Sequence, residues 1–409
     1  MTDSRTGSRT GPLAGVTLIE MGQLIAGPFC GQLMADYGAD VIKVEDPARG
    51  DPIRDWGLEK FAPGDPNAQP LWWPILARNK RCITTNLRHV RGQQLIRELV
   101  AEADAVLENF RPGTMERWGM SADELWAINP RLVIIRVSGY GQDGPYSERP
   151  GYASVGEAMG GIRYLMGDPA SPPSRAGISL GDSLAAMFAC LGGLAAIISA
   201  RTTGKGQVVD ASIYESVLAI MESLIPDYVI AGHTRERSGS KLTGIAPSNV
   251  YPTADGRMVI IAANQDTLFV RLCQCMGRPE LAVDDRYATH TARGINQDEL
   301  DQLIAQWSIT LAADELLALL RSHDVVCGDI FRAVDMLTDQ HFAARKSIVR
   351  VSTEGEPFPM HNVFPRFSGT PAEVRWTGPA HGEHTNEVLR ERLNLTDTAL
   401  AQLRADGVI

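Results

Sequence analysis

The chain has little of what would assign it at once to several large protein classes. Six of its 409 residues are cysteines (Cys30, Cys82, Cys190, Cys273, Cys275 and Cys327), and of these Cys273 and Cys275 alone lie close together. A chain this long buries enough apolar surface to fold without cross-links, so the cysteines read as free thiols of a reducing, cytoplasmic compartment. There is no basic excess. The formal net charge is −10, with no run of like charges, which disfavours a nucleic-acid partner. The opening MTDSRTGSRTG lacks the apolar stretch of a signal peptide and reads as a frayed polar end. The eight histidines are scattered without an H-E-x-x-H, and HGEHT at 381–385 reads as a C-terminal loop, so no metal is expected. Neither G-x-G-x-x-G nor G-x-x-x-x-G-K-[ST] occurs. The first strand–helix junction is QLIAGPFCGQ, and the glycine-rich TTGKGQ at 202–207 follows a helix, where it reads as a surface turn. Nicotinamide, flavin and P-loop nucleotide chemistry are therefore not expected. Nor is there a G-x-S-x-G nucleophile elbow.

The most distinctive stretch present is RAGISLGDSLAAMFACLGGLAAIISAR, residues 175–201. Residues 184–200 are almost uninterruptedly apolar, which is the short limit for a membrane span, and no second span accompanies them. A helix apolar on all sides otherwise belongs to the core of a large protein, and no membrane association is expected. The pair Gly192–Gly193 predicts close helix packing or a kink. At the mouth of this segment sits one carboxylate, Asp182. It has the position of a helix N-cap. It also has the position of a reactive group: helix-start amides would hold it ionised, and a carboxylate is a competent nucleophile toward an acyl carbon. The same amides could support the oxyanion that forms.

Along the N-terminal half, strand and helix patterns alternate. GVTLIEMG, DVIKVED, CITTNL, DAVLENF and RLVIIRVSGYG read as strands; GPFCGQLMADYGA, RGQQLIRELVAEA and SADELWAINP read as helices. Such alternation predicts an α/β fold with a parallel sheet covered on both faces. GQVVDASIYESVLAIMESLIPDYVIAG continues as a strand running into a helix. The texture changes near 226–244. SNVYPTADGRMVIIAA then reads as a hairpin turning at Asp255-Gly256, followed by three helices. We therefore expect a large α/β domain over residues 1–225, a smaller α+β unit over 226–330, and over 331–409 proline-rich turns with a helical end.

Six motifs, taken in order, carry a resemblance: AGPFCGQLMADYGADVIKVE, VLENFRPGTMERWGM, VSGYGQDGPY, GISLGDSLAAM, ISARTTGKGQVVDASIYES and GPAHGEHTNEVL. Together they resemble the class III CoA-transferases, the family of formyl-CoA transferase and carnitine CoA-transferase, from about residue 13 to 389. The resemblance implies a large doubly wound, Rossmann-like domain, built from residues 1–225 and a C-terminal return over 331–409, with the smaller α+β domain inserted, and a homodimer of interlocked chains. It implies transfer of coenzyme A from an acyl-CoA to a free carboxylic acid. Asp182 matches the family's nucleophile, which passes through an aspartyl anhydride and an aspartyl-CoA thioester. Asn109, Phe110 and Arg117 match positions contacting CoA. Arg88 matches a basic position suited to a phosphate, Tyr140 a tyrosine lining the active site, and Ile25 with Ala26 a loop over the thioester. Taken without the family, these same residues read as a turn, core aromatics and solvated charges.

Departures from the pattern narrow the substrate. Ile25 stands where formyl-CoA transferase has glutamine, Asp46 replaces an arginine for which Arg49 is the candidate substitute, and SKLTGIAPSN (residues 240–249) replaces a glycine-rich lid. Formate and oxalate are therefore not expected. The related α-methylacyl-CoA racemases carry a G-H-D segment where this chain has Tyr152 and Ala153, so it lacks their histidine base; Glu157 remains an alternative base. GYASVGEAMGG with GISLGDSL is most similar to members that use succinyl-CoA and a dicarboxylic acceptor such as malate or citramalate, with Arg163 or Arg175 placed to pair with a second carboxylate. The other readings left open are a racemase-like enzyme and a non-catalytic CoA-binding protein.

Overall fold

Short runs of branched apolar residues, too short for helices and apolar at successive positions, pair into one sheet with both faces covered. In the computed structural model, which describes residues 10–58, 70–353 and 356–409, these are β1 (Thr17–Glu20), β2 (Asp40–Glu45), β3 (Arg81–Thr84), β4 (Ala105–Glu108), β5 (Val133–Ser138) and β6 (Val208–Ser212). All neighbours are parallel, in the order β3-β2-β1-β4-β5-β6. This is the doubly wound order, with its reversal between β1 and β4. The side-chain period of two sends Leu18 to one face, against helices Ala26–Asp36 and Leu180–Thr203, and Ile19 to the other, against helices Val90–Val100 and Ala122–Ile128. Of the polar N-terminal stretch expected to fray, residues 1–9 lie outside the described residues. Gly11 packs so tightly on the Tyr37 carbonyl that a Cβ there would come within 2.4 Å of the oxygen.

Leu180–Thr203 is long and apolar enough to cross a membrane, but half of its apolar window is buried. Its inner face is nearly all small: Ala185, Ala186, Ala189, Cys190, Gly193, Ala196 and Ala200. A Cβ on Gly193 would lie 2.5 Å from Ile135, and one on Gly192 2.7 Å from Val209. The glycine pair thus lets the helix sit close on β5 and β6.

The described residues divide into two units. The first combines the described parts of 1–162, 176–222 and 345–409; the second combines 163–175 with 223–344. The second is thus wider than the 226–330 read from composition. Residues 163–175 join it through Tyr164, which donates to Glu236 at 2.7 Å, and through Gly239 N–H, which donates to the Gly167 carbonyl. Its core lies between an antiparallel sheet, β7 (Ser248–Pro252), β8 (Met258–Ala262) and β9 (Cys327–Asp329), and helices Asp266–Cys275, Gln297–Ser308 and Ala313–Ser322. The hairpin turns at Asp255-Gly256, where Gly256 takes φ +78°, as the dipeptide predicts. The three-residue β9 is too short to carry a pattern of its own.

Within the first unit the C-terminal residues return to the sheet. β10 (Ile348–Val351) pairs antiparallel with β11 (Phe358–His361). Helix Thr385–Leu393 then closes on β3: Thr84 N–H donates to Thr385 Oγ1 at 3.0 Å, Cys82 N–H to His384 Nδ1 at 3.2 Å, and His384 N–H to the Cys82 carbonyl at 2.9 Å. HGEHT is the C-terminal loop expected, a turn at 381–384 entering that helix, with His381 exposed and His384 buried against β3.

Candidate active site

Loops leaving the C-terminal ends of β1, β4 and β5 converge on a cleft of about 240 Å³. It is lined by residues 23–26 after β1, 109–112 after β4, 137–139 at the end of β5, the 147–152 loop, and Trp56, Asp182 and Ile213, all within the first unit. This is where the strand order reverses, the place where doubly wound sheets bind ligands.

The loop after β1 is held from three sides. Gln23 offers its N–H and its carbonyl to the Asn109 side-chain amide, each bond 2.8 Å long, so one amide ties the loop after β4 to the loop after β1. Leu24 sits in the left-handed region at φ +63°, costly for a branched residue and maintained only where neighbours enforce it. Here Asp51 Oδ1 accepts its N–H at 3.0 Å. Gly22 and Gly27 touch back to back: a Cβ on either would lie 3.0 Å from the other's Cα.

Beneath the loop lies a buried charge cluster. Lys43 donates to the Gly22 carbonyl and to Asp51 (2.6 Å) and pairs with Glu20 (3.3 Å); Lys80 pairs with Glu20 (2.8 Å) and donates to the Pro28 carbonyl (2.7 Å). The two lysines titrate oppositely. Burial pulls the Lys43 ammonium down, but Asp51, Glu20 and Glu45 more than offset it and the net shift is upward. For Lys80 burial wins and the shift is downward despite Glu20. Glu45 in turn takes Arg54 in a two-pronged pair at 2.8 Å each. Glu108, ending β4, is pushed up to about 7 by burial, against the lowering effects of the Phe110 N–H (2.6 Å) and Arg136 (3.5 Å).

Asp182 is not the N-cap that its sequence position resembles. The helix begins at Leu180, the cap position is Ser179, whose side chain makes no capping bond, and Asp182 is the third helical residue. The capping acceptor comes from elsewhere: Glu157, 1% exposed, takes the Gly181 N–H on Oε1 at 3.0 Å. Gly181 permits this approach, since a Cβ there would stand 3.0 Å from Glu157 Cγ and from Ile213 Cγ2. Glu157 is thus built into a helix start, and does not line the cleft as an alternative base would. Asp182 is half-buried and opens onto the cleft in the first turn, where the helix dipole favours an anion.

Of the other residues singled out from sequence, Ile25 (8% exposed), Ala26, Asn109 and Phe110 line the cleft together with Asp182. Phe110 is braced edge-on by Trp118 at 5.1 Å. Arg88 (84% exposed, 3.7 Å from Asp46) and Arg117 (donating to Thr114 Oγ1 at 2.9 Å) do not line it. Tyr140 packs on Gly151 behind the wall and edge-on against Tyr146 at 6.0 Å. Arg163 and Arg175 belong to the second unit and are not in the lining, and residues 240–249 also belong to that unit. The cleft instead contains two arginines that sequence reasoning passed over, Arg111 and Arg149. Arg111 stands two residues past Asn109 and was in view within ENFRPG; Arg149 precedes the GYAS segment and carried no signal beyond its charge.

The family model for CoA-transferase family III matches residues 13–385. Two relatives from Chloroflexus aurantiacus align almost end to end. Succinyl-CoA–D-citramalate CoA-transferase is 54% identical over 97% of this chain and 98% of its own length, and the succinyl-CoA–L-malate CoA-transferase beta subunit is 41% identical over 97% and 98%. A crystal structure of a CAIB/BAIF family protein from Brucella suis superposes with a TM-score of 0.82 at 33% identity, covering 94% of this chain and all of that one. Sequence motifs, sheet order and full-length relatives agree, and the chain belongs to CoA-transferase family III.

Proposed function

We propose that this CoA-transferase moves coenzyme A from succinyl-CoA to a dicarboxylic acid, D-citramalate or a close analogue, with Asp182 as the acyl acceptor. The observation that carries the reading is the placement of Asp182. It lies in the first turn of a long helix, opens onto the switch-point cleft, and leaves the capping of Gly181 to Glu157. The specificity follows the names of the relatives. The mechanism follows from the chemistry of a carboxylate held at that point.

The steps balance without an added reagent. An Asp182 oxygen attacks the thioester carbonyl and CoA thiolate leaves, giving a succinyl–aspartyl anhydride. The thiolate attacks the aspartyl carbonyl, releasing succinate and leaving an aspartyl-CoA thioester. The acceptor carboxylate attacks that carbonyl, expelling thiolate and forming a second anhydride. The thiolate then attacks the acceptor carbonyl and regenerates the Asp182 carboxylate. One activated acyl group is exchanged for another of similar energy, so ATP is not required. The thiolate must be retained between steps. Ile25, Ala26, Asn109 and Phe110 are placed to enclose the thioester end of CoA, and the exposed Arg88 and Arg117 are the proposed partners of its phosphates. The small unit as an inserted domain, the interlocked homodimer and the cytoplasmic location belong to the same reading. Dimerisation is supported by exposed apolar side chains, Leu191 and Ile198 in the first unit and Ile225, Tyr228, Val229 and Ile230 in the second.

The test is Asp182→Asn and Asp182→Ala, assayed with succinyl-CoA and D-citramalate by chromatography of the thioesters. Loss of kcat on the order of 10³-fold or more is expected in folded variants, together with loss of an acyl or CoA adduct on the peptide containing residue 182. Undiminished exchange in either variant would remove Asp182 from the chemistry. Glu157, enclosed and committed to Gly181, disfavours the racemase alternative. Exchange of α-deuterium without new thioesters would restore it.

A further inference from the structure

The charged groups lining the cleft are one carboxylate, Asp182, and two guanidiniums, Arg111 and Arg149. Among the described residues neither arginine has a carboxylate partner. This balance changes during the proposed reaction. When Asp182 becomes an anhydride or thioester its negative charge is gone, and two uncompensated cations face the incoming acid. A dianion matches that state; a monoanion leaves one guanidinium, exposed as both are, paired with solvent alone.

The two arginines differ in how they are held. The Arg149 guanidinium carbon stands over the Tyr146 ring, 3.6 Å from its centroid. Tyr146 is buttressed edge-on by Tyr140 at 6.0 Å, and Tyr140 is packed so closely on Gly151 that a Cβ there would come within 3.1 Å of its ring. A guanidinium held over a ring has that face occupied and its in-plane N–H edge available, the edge that takes a carboxylate with two parallel hydrogen bonds. Among the described residues Arg111 has no such stacking platform. The chain Gly151–Tyr140–Tyr146–Arg149 also accounts for a tyrosine at 140 that stands behind the wall of the cleft.

We infer that Arg149 is the specificity-determining residue that pairs with the non-reacting carboxylate of the dicarboxylic substrates. Succinyl-CoA and the acceptor each present such a group, so one site serves both half-reactions. The inference rests on the CoA-transfer reading above and deepens it.

The experiment compares succinyl-CoA with butyryl-CoA, isosteric but for the distal carboxylate, using D-citramalate as acceptor and wild type, Arg149→Met, Arg149→Lys and Arg111→Met. Thermal unfolding of each variant checks that the fold is intact. The expected result is a fall in the succinyl-over-butyryl ratio of kcat/KM of roughly 10- to 100-fold in Arg149→Met, from loss of a charge-assisted bidentate contact, with Arg149→Lys intermediate. If butyryl-CoA turns over too slowly, competitive inhibition by free succinate and butyrate provides the same ratio. An equal loss with both donors overturns the inference and assigns Arg149 to the CoA moiety common to them. A preserved ratio in Arg149→Met, or a collapse confined to Arg111→Met, overturns it as well. Failure of the underlying reading is a separate outcome: wild type would then transfer CoA from succinyl-CoA to no dicarboxylate at all.

Discussion

Gly31→Ala sets two physical arguments against each other. Gly31 lies inside helix Ala26–Asp36, where intrinsic propensity favours alanine by about 1 kcal/mol. Packing reverses the sign. A Cβ at residue 31 would stand 1.8 Å from Glu20 Oε2 and 2.7 Å from Glu20 Cδ. That carboxylate is fully buried between Lys43 and Lys80, at 3.3 and 2.8 Å. It has no solvent to retreat into, so the methyl must push it off its lysines. Breaking a buried ion pair costs about 3–5 kcal/mol. Less the propensity gain, the variant should be less stable by roughly 2–4 kcal/mol. Urea unfolding followed by fluorescence and circular dichroism measures this as a lowered midpoint. Lys43 also holds the Gly22 carbonyl and Asp51, which in turn holds the strained Leu24, so the KM for acyl-CoA should rise in the same variant. A Gly31→Ala protein as stable as wild type or more so would refute the reasoning, and with it the claim that Glu20 is fixed by charge.

Two further substitutions probe the groups around the site. Glu157→Gln keeps an acceptor for the Gly181 N–H but loses its charge, so stability should drop by about 1 kcal/mol while CoA transfer persists; a pH-dependent fall in kcat beyond tenfold would instead give Glu157 a proton-handling role. Glu108, with a carboxyl raised from 4.5 to about 7 in the folded protein, holds its proton more tightly folded than unfolded. Its contribution to stability is therefore complete below about pH 4.5 and is lost as pH climbs through 7, by on the order of 3 kcal/mol at 1.36 kcal/mol per pH unit. Urea titrations between pH 5 and 8 should show Glu108→Gln flattening this slope and gaining on wild type at pH 8; parallel slopes would refute the assignment.

The sheet was legible because its strands carry their own signal: VTLIE and AVLE are short, branched apolar runs, and each is followed by a helical period. The position of Asp182 was legible as a charge at a helix mouth, but its role in capping was misread. Local sequence has no means of announcing that Glu157, twenty-four residues upstream, supplies the capping acceptor. The same limit applies to the cleft. Arg163 and Arg175 are nearer in sequence to Asp182 than Arg111 is, yet the βα connections bring Arg111 and Arg149 to it. The lysine–carboxylate cluster under the loop was equally hidden. Lys43 and Glu45 look like the polar half of an alternating strand, and only the helices on both faces turn them inward. β9, β10 and β11 are three or four residues long and stand on pairing partners rather than on pattern.

The closure of residues 376–393 over β3 has a consequence for biosynthesis. Cys82 and His384 are 302 positions apart, and at an elongation rate of about 5–20 residues per second the ribosome needs roughly 15–60 s to travel from one to the other. Throughout that interval the nascent β3 is an uncovered sheet margin. It is open to pairing with other chains until its own cover is translated. Expression yield should therefore depend on chaperone supply during elongation as well as on the stability of the finished enzyme.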